Sequence, residues 1–243
     1  MNAAYFDQFN IKKLLYIKYS ETILSISNLT IVLTTIIIII LITNNSSKKL
    51  LPGRNWTMLN HIHKITQNLT TEHIASKNKQ YNTLVAAILI LITTINLTGL
   101  LPYVFTATSH IIITISLSLT IIIKTSISAI ITHKNKFFSI FTPHNTPLPL
   151  APFLIVIEST SYITRIISLG VRLAANISAG HLLLTILSKF TLNIILTNHY
   201  ILSIIPIIIL FLITLLEIIV ALVQAYVFTL LTTIYISDSI QLH

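Results

Sequence analysis

The most informative part of the chain is SLGVRLAANISAGH, residues 168–181, which lies inside an apolar tract over residues 151–195. The guanidinium of Arg172 keeps its charge at any working pH. An arginine at the centre of a bilayer costs roughly 2.5–3.5 kcal/mol on insertion scales, so an ionisable residue at such a position is a functional candidate by default.

The composition predicts an integral membrane protein. The chain has 243 residues, of which 54% are hydrophobic and 9% are charged, whereas soluble domains average about 25% charged. Cysteine is absent, which excludes disulfides and thiolate metal sites. The net charge of +9 comes largely from basic residues in polar stretches between apolar runs, a pattern that indicates membrane topology rather than nucleic-acid binding.

The apolar runs predict an all-α fold that forms one membrane domain over residues 1–243. Membrane spans are expected at residues 23–42, 84–101 and 111–131. Residues 51–76 mix polar residues with apolar ones near helical spacing, which predicts an amphipathic helix on the membrane surface.

Two longer tracts, residues 152–190 and 200–238, complete the prediction of about five transmembrane helices. As one helix, residues 152–190 would be roughly 57 Å long, against a hydrocarbon core of roughly 30 Å. No turn signal lies in the middle of either tract. We therefore expect a hairpin of two long, tilted helices, joined across residues 191–199. An odd number of spans with basic segments inside predicts an external N terminus and an internal C terminus.

Three ions share one face of the first long helix. Glu158, Arg165 and Arg172 are seven residues apart, and each step of seven drifts by only about 20°. Asn176 follows one turn after Arg172. His181 lies nine residues after Arg172, a rotation of roughly 900° or about two and a half turns, and therefore points to the opposite face.

The second long helix carries a matching polar face of Glu217, Gln224 and Asp238, spaced by seven and fourteen residues. The two helices together predict two polar tracks separated by the fixed charge of Arg172. His181 has the side chain that changes charge near neutral pH, and Glu158 and Glu217 are further candidates for taking up and releasing a proton.

Structural interpretations of the same residues stay open at this point. Glu158 and Arg165 would serve equally as an ion pair at a helix end, and His181 as a hydrogen-bonded packing residue. Gln224 would serve as an interhelical hydrogen-bonding residue, and Asp238 as a solvated end residue. Lys124 and Lys189 are expected to extend toward the membrane surface.

Several motifs resemble subunit a of the F-type ATP synthase, in particular the mitochondrial, fungal-like form. The resemblance runs nearly end to end. The motifs that carry it are DQFNI at 7–11, NLTGLLPY at 96–103, TPLPLAP at 146–152, SYITR at 161–165, SLGVRLAANISAGH at 168–181 and QAYVF at 224–228. His181 combined with Glu217 is similar to the mitochondrial arrangement, and Asn145 departs from the glycine usual in the family.

The resemblance implies a role for each polar residue. Arg172 would face the carboxylate of each passing c subunit. His181 and Glu217 would line a half-channel open to the intermembrane space, and Glu158 and Asp238 one open to the matrix. Asn176 and Gln224 would be polar neighbours of the arginine.

The resemblance also implies a proton-translocating stator subunit of the Fo sector, whose two offset half-channels couple proton flow to rotation and ATP synthesis. No catalytic site of its own, no cofactor, no metal and no nucleic acid are expected. The implied partners are the c-ring, the peripheral stalk subunit b, other Fo membrane subunits and lipids, within a large hetero-oligomer that extends to a dimeric synthase. The implied location is the mitochondrial inner membrane.

Two other functions fit a multi-pass membrane protein. A proton-coupled transporter or a respiratory-chain antiporter-like subunit predicts helices broken by Gly or Pro at the midplane, a feature not seen over residues 153–190. A purely structural scaffold does not account for three ions on one face of a membrane helix.

Overall fold

The structure is a computed structural model that describes residues 9–19, 22–44, 54–73, 79–101, 104–134, 150–197 and 200–240. Its elements in chain order are β1 (Lys13–Tyr19), β2 (Thr22–Ser27), α1 (Asn28–Asn44), α2 (Arg54–His73), α3 (Lys79–Gly99), α4 (Ile111–His133), α5 (Ala151–Leu196) and α6 (Tyr200–Ile240). A short 3₁₀ turn at Ala107–Ser109 precedes α4. The proline-rich motif up to residue 149, residues 7–8 of the first motif and residues 102–103 of the second lie outside the described residues.

The predicted all-α membrane fold is confirmed. Four described helices are long and apolar enough to cross a membrane, judged by length and composition, and a shorter apolar helix lies at Asn28–Leu41. Relative to the predicted ranges, α3 begins and ends earlier than 84–101, whereas α4 extends 111–131 by two residues. α2 lies within the predicted 51–76, with Thr66, Leu69 and Thr70 buried.

The last two helices are longer than predicted. α5 has 46 residues and α6 has 41, which gives lengths of about 69 Å and about 62 Å. α6 continues through Pro206 near its start, although proline removes one helical hydrogen bond. Neither helix fits across roughly 30 Å of hydrocarbon along the membrane normal. A tilt of both helices therefore remains a prediction, as it was from the sequence.

The N-terminal region differs from the prediction, because residues 23–27 belong to a strand rather than to the first span. β1 and β2 form an antiparallel pair with Tyr19 opposite Thr22. Ser27 stops the strand and caps α1, since the Ser27 N–H donates to Thr30 Oγ1 (3.0 Å) and the Thr30 N–H donates to Ser27 Oγ (3.4 Å). This reciprocal pairing is the arrangement of a capping box, and it places the start of the helix at Asn28.

Contacts divide the chain into two compact units. The first is drawn from Met1–Ser47, Ile90–His110 and Leu173–Ala225, and the second from Lys48–Leu89, Ile111–Arg172 and Tyr226–His243. In the first unit, Val32 and Ile36 of α1 pack with Ile95, Phe105 and Ala107. In the second unit, Val85 of α3 packs with Ile236 of α6.

The packing of α4 in the second unit reverses the pattern of a soluble helix. Its buried residues recur every three or four positions and are mostly small or hydroxyl-bearing, namely Thr114, Ser118, Ile122, Thr125 and Ala129. Its exposed residues include Ile112, Ile123 and Ile131. Small residues inside and large apolar residues outside are typical of helices that contact each other within lipid.

Candidate functional site

In the first unit, polar side chains join α5 to α6. Asn176 Nδ2 donates a hydrogen bond to Gln224 Oε1 at 3.0 Å, and His181 Nε2 lies 3.8 Å from Glu217 Oε1. As the contacts advance along α5 from Asn176 to His181, they go back along α6 from Gln224 to Glu217. The two segments are therefore antiparallel, as the predicted hairpin requires.

The contact between His181 and Glu217 is buried and incompletely satisfied. The His181 and Glu217 side chains are 15% and 6% exposed. Asn96 on α3 is also buried, and its Nδ2 donates to the carbonyl of Ala221, about one turn along α6 from Glu217, at 3.3 Å. Neither carboxylate oxygen of Glu217 has a hydrogen-bond partner among the described residues. A separation of 3.8 Å exceeds a direct hydrogen bond but suits proton exchange through one water or after a small approach.

Gly180 provides the space that Glu217 occupies. A Cβ built on Gly180 would lie 2.6 Å from Glu217 Oε1 and 3.0 Å from Glu217 Cδ. Any larger residue would therefore displace the carboxylate. The glycine that precedes His181 thus sets how closely α6 brings its glutamate to the histidine.

The second unit holds a separate cluster of charges centred on Arg165. Its guanidinium lies 3.6 Å from Glu158 Oε1 and 3.7 Å from Asp238 Oδ2, and it stands 5.4 Å from the centre of the Tyr235 ring. The three charged side chains are 33%, 37% and 53% exposed, in the order Arg165, Glu158, Asp238. A cleft opens beside them, lined by Ile122, Thr125, Ser126, Ala129, Glu158, Tyr162, Arg165, Tyr235, Asp238 and Ser239.

Arg172 differs from Arg165 in its surroundings. Its guanidinium donates to Ser168 Oγ at 3.3 Å, and among the described residues no carboxylate forms an ion pair with it. Arg172 is exposed, on the face of α5 that it shares with Arg165, Ser168 and Asn176. A permanent cation exposed on a membrane helix is expensive in lipid, so the arrangement favours a partner of opposite charge on this face.

The structure therefore brings the predicted residues together in three groups. Asn176 contacts Gln224, His181 contacts Glu217, and Arg165 contacts both Glu158 and Asp238. The structural interpretations that remained open for Arg165 and Gln224 describe contacts that form, since the ion pair and the interhelical hydrogen bond are both present. The sequence did not single out Tyr235 or Gly180.

Both polar clusters include residues of α5, and this helix is unbroken. The helix continues from Ala151 to Leu196, so it lacks the discontinuity that a transporter with a midplane binding site requires. Together the long apolar helices and the ionisable groups inside them define a multi-pass membrane protein, in which several of these polar groups contact a neighbouring helix.

Comparison with known proteins agrees with this class. The family described as ATP synthase A chain matches residues 25–237. A protein of Metridium senile named ATP synthase subunit a is 43% identical over 243 residues, which are 100% of both chains. The chain belongs to the F-type ATP synthase subunit a family.

Proposed function

We propose that this chain is the proton-translocating stator subunit of the Fo sector, in which two separate polar passages serve a rotor ring of c subunits. The observation that carries the proposal is the exposed Arg172 on α5, without a carboxylate partner among the described residues. A carboxylate on the c-ring is the partner of opposite charge that this face needs.

The two clusters supply the passages. His181 and Glu217, with Asn176 and Gln224 as polar neighbours of Arg172, form the half-channel toward the intermembrane space. Glu158 and Asp238, with Arg165 between their carboxylates, form the half-channel toward the matrix. The contacts of the first passage lie in the first unit, and those of the second passage lie in the second unit.

Proton transfer follows from these positions. A proton passes His181 and Glu217 and neutralises a c-ring carboxylate, which can then rotate into lipid. After nearly a full turn, another ring site releases its proton toward Glu158. Each charge that crosses the membrane gains about 2.3 kcal/mol per 100 mV, and this free energy drives the rotation.

The chain acts within a complex and has no catalytic site of its own. Its partners are the c-ring, the peripheral stalk subunit b, other Fo membrane subunits and lipids. We place it in the mitochondrial inner membrane, with the N terminus toward the intermembrane space and the C terminus toward the matrix. The single membrane domain, with its long helices tilted against the ring, belongs to the same proposal.

The proposal is tested on whole synthase in membrane vesicles, with proton-driven ATP synthesis as the readout. Arg172→Ala is expected to abolish coupled synthesis. Lys189→Ala is the matched control, because Lys189 is an exposed cation on the same helix that is expected to extend toward the membrane surface, and it should leave synthesis unchanged. Normal synthesis in the Arg172→Ala variant would contradict the proposed role.

A further inference from the structure

The ribbon of β1 and β2 in the first unit leaves large apolar side chains exposed. Leu15 lies opposite Ile26 across the ribbon, and their side chains are 62% and 43% exposed. Ile11 and Leu14, at the start of the ribbon, are 51% and 55% exposed. A two-stranded hairpin alone is at best marginally stable in water, so this ribbon needs a further surface to pack against.

The register of the ribbon makes it amphipathic. Residues that pair across two antiparallel strands share a face, and successive residues alternate between faces. One face, called the apolar face below, carries the pairs Leu15–Ile26 and Ile17–Leu24, and the opposite face carries Lys13–Ser27, Tyr16–Ser25 and Lys18–Ile23.

A break in the register keeps lysine off the apolar face. Lys13 and Leu15 are two residues apart and would share a face in a regular strand. The register shifts between these two residues, and a shift of this kind, a β-bulge, changes the direction of the side chains that follow. Apolar and basic residues are therefore separated, as in a segment that lies at a boundary between water and lipid.

Asn28, the first residue of α1, holds the ribbon against the start of the helix. Its backbone N–H donates to the Lys12 carbonyl at 3.2 Å. Its Oδ1 accepts from the Lys12 N–H at 3.2 Å, and its Nδ2 donates to the Asn10 carbonyl at 3.2 Å. The depth of the ribbon relative to the membrane therefore follows the depth at which α1 begins.

α1 is too short to cross the hydrocarbon layer by itself. Its apolar part, Asn28–Leu41, is about 21 Å long, against a hydrocarbon core of roughly 30 Å. As the helical part of the predicted first span, it places the ribbon at the membrane boundary rather than in bulk water. The unpaired strand edges keep the ribbon out of the core, where their backbone groups would have no partners.

We propose that the ribbon of β1 and β2 lies in the membrane interface, with its apolar face on the acyl chains and its lysines at the phosphates of anionic phospholipids. Charge complementarity favours lipid as the occupant, since Lys12 and Lys13 are exposed beside the apolar residues and neither strand contains an acidic residue. Tyrosine, present in β1 as Tyr16 and Tyr19, is enriched at membrane interfaces. This anchoring role goes beyond the proposed proton transport.

Two neighbouring residues on opposite faces test the orientation of the ribbon. The chain has no cysteine, so Ile26→Cys and Ser25→Cys each place one thiol in this subunit, on the apolar face and on the opposite face. Whole synthase in lipid nanodiscs, which leave both sides of the membrane accessible, is treated with a charged maleimide, and the mass of the subunit reports its modification.

Ile26→Cys should react at least about tenfold more slowly than Ser25→Cys. The thiolate is the reactive form, and a rise of about one unit in the thiol pKa on leaving water reduces the thiolate about tenfold. The two rates should become equal after the nanodiscs are dissolved and the subunit is denatured, which shows that the difference comes from the membrane-bound state. Equal rates in intact nanodiscs would overturn the proposal.

A photoreactive label distinguishes lipid from protein as the occupant of the apolar face. Leu15→Cys is coupled to a maleimide that carries benzophenone, and the synthase is illuminated in nanodiscs. We expect the subunit to gain the mass of a phospholipid, and to gain it less often when the same label is placed at Ser25→Cys. Cross-linking of Leu15→Cys to another Fo subunit, or the absence of a lipid adduct, would overturn the proposal.

Neutralising the lysines tests the preference for anionic lipid. In the Ile26→Cys background, protection from the charged maleimide should be stronger in nanodiscs that contain anionic phospholipid than in purely zwitterionic ones, by about fivefold for each lysine near the surface. Lys12→Gln combined with Lys13→Gln should remove this dependence on lipid charge. Lys64→Gln, which changes an exposed lysine of α2, should retain it.

A dependence on lipid charge that persists in the double glutamine variant would overturn the role of anionic phospholipid. None of these measurements uses proton transport, so their outcome is independent of whether the proposed function holds.

Discussion

At the scale of single residues, the distance between His181 and Glu217 depends on Gly180, which has no side chain. The pair is separated by 3.8 Å, and Gly180 leaves the space in which the carboxylate lies. Glycine is a poor helix former, by about 0.8–1.0 kcal/mol relative to alanine. Its presence in the middle of α5 therefore has a local cost, and the close approach of Glu217 accounts for it.

Gly180→Ala is expected to separate stability from activity. The new Cβ would lie 2.6 Å from Glu217 Oε1, so the carboxylate must move away, while the helix itself gains from alanine. We predict that the subunit assembles at normal or higher levels and that ATP-driven proton uptake falls by about tenfold, equivalent to about 1.4 kcal/mol in the barrier. Native gels and vesicle uptake assays measure the two effects.

The collision is with a side chain, so shortening that side chain should relieve it. In a double-mutant cycle, Gly180→Ala combined with Glu217→Asp is expected to lose less activity than the two single losses together. Additive losses would show that Gly180 acts on something other than the glutamate.

The sequence predicted the candidate residues of this site but only part of how they contact each other. Ionisable groups such as His181 and Glu217 stand out in apolar tracts, and spacing alone placed Glu158 near Arg165. The pairing of Arg165 with Asp238 joins two helices, and no local periodicity specifies their register. Gly180 could have been found, because the chain contains only 4 glycines and one of them directly precedes the histidine.

At the scale of helices, α4 is docked on α5 by close backbone contact within the second unit. A Cβ built on Gly170 would lie 2.9 Å from Ile115 Cα and 3.0 Å from Ile115 N. Ser118 Oγ also donates to the Ile166 carbonyl at 3.0 Å. These contacts lie within two turns of Arg172 on α5, so the position of the arginine depends on the docking of α4.

Gly170→Ala is expected to impair assembly, unlike Gly180→Ala. Its Cβ meets backbone atoms that cannot rotate away, so α4 and α5 must separate, and overpacking of this kind costs roughly 1–3 kcal/mol. We predict a lower steady-state level of the subunit in membranes and a lower melting temperature of the detergent-solubilised complex, both measured against the unmodified synthase.

The position of the collision gives this prediction its control. Ile115→Ala shortens the side chain of Ile115 but leaves its N and Cα in place, so it should not rescue Gly170→Ala. Recovery of normal assembly in the double variant would show that side-chain crowding, not backbone contact, sets the distance between the two helices.

The helices themselves were largely predictable from length and apolar composition, because helices satisfy their own backbone groups in lipid. The residues at which the helices begin and end were less predictable. The apolar run that begins near residue 23 continues from β2 into α1 without a change in hydrophobicity, and the boundary is set by the hydrogen bonds of Ser27 and Thr30. The buried face of α4 could not be predicted from an apolar stripe, because most of its residues are small or carry a hydroxyl group.

At the scale of the whole molecule, Arg172 lies in the chain between the cluster of Glu158 and Arg165 and the histidine at 181, on one continuous helix. In the proposed function its charge has two tasks, attraction of a c-ring carboxylate and exclusion of protons from a direct route between the passages. Loss of coupled synthesis alone does not separate the two tasks, because either failure stops it. Proton leakage without ATP turnover reports only on the second.

We therefore predict that vesicles with Arg172→Ala synthase become leaky to protons under an imposed diffusion potential. At about 5 Å and an effective dielectric constant of about 20, a fixed charge opposes a proton by about 3 kcal/mol, which corresponds to a leak on the order of a hundredfold faster. Adding Glu217→Leu should suppress that leak, since it removes a carboxylate from the passage that would feed it, and Lys189→Ala should leave the conductance at its normal level. Vesicles that stay tight although Arg172→Ala has stopped synthesis would mean that the arginine attracts the ring without acting as a barrier.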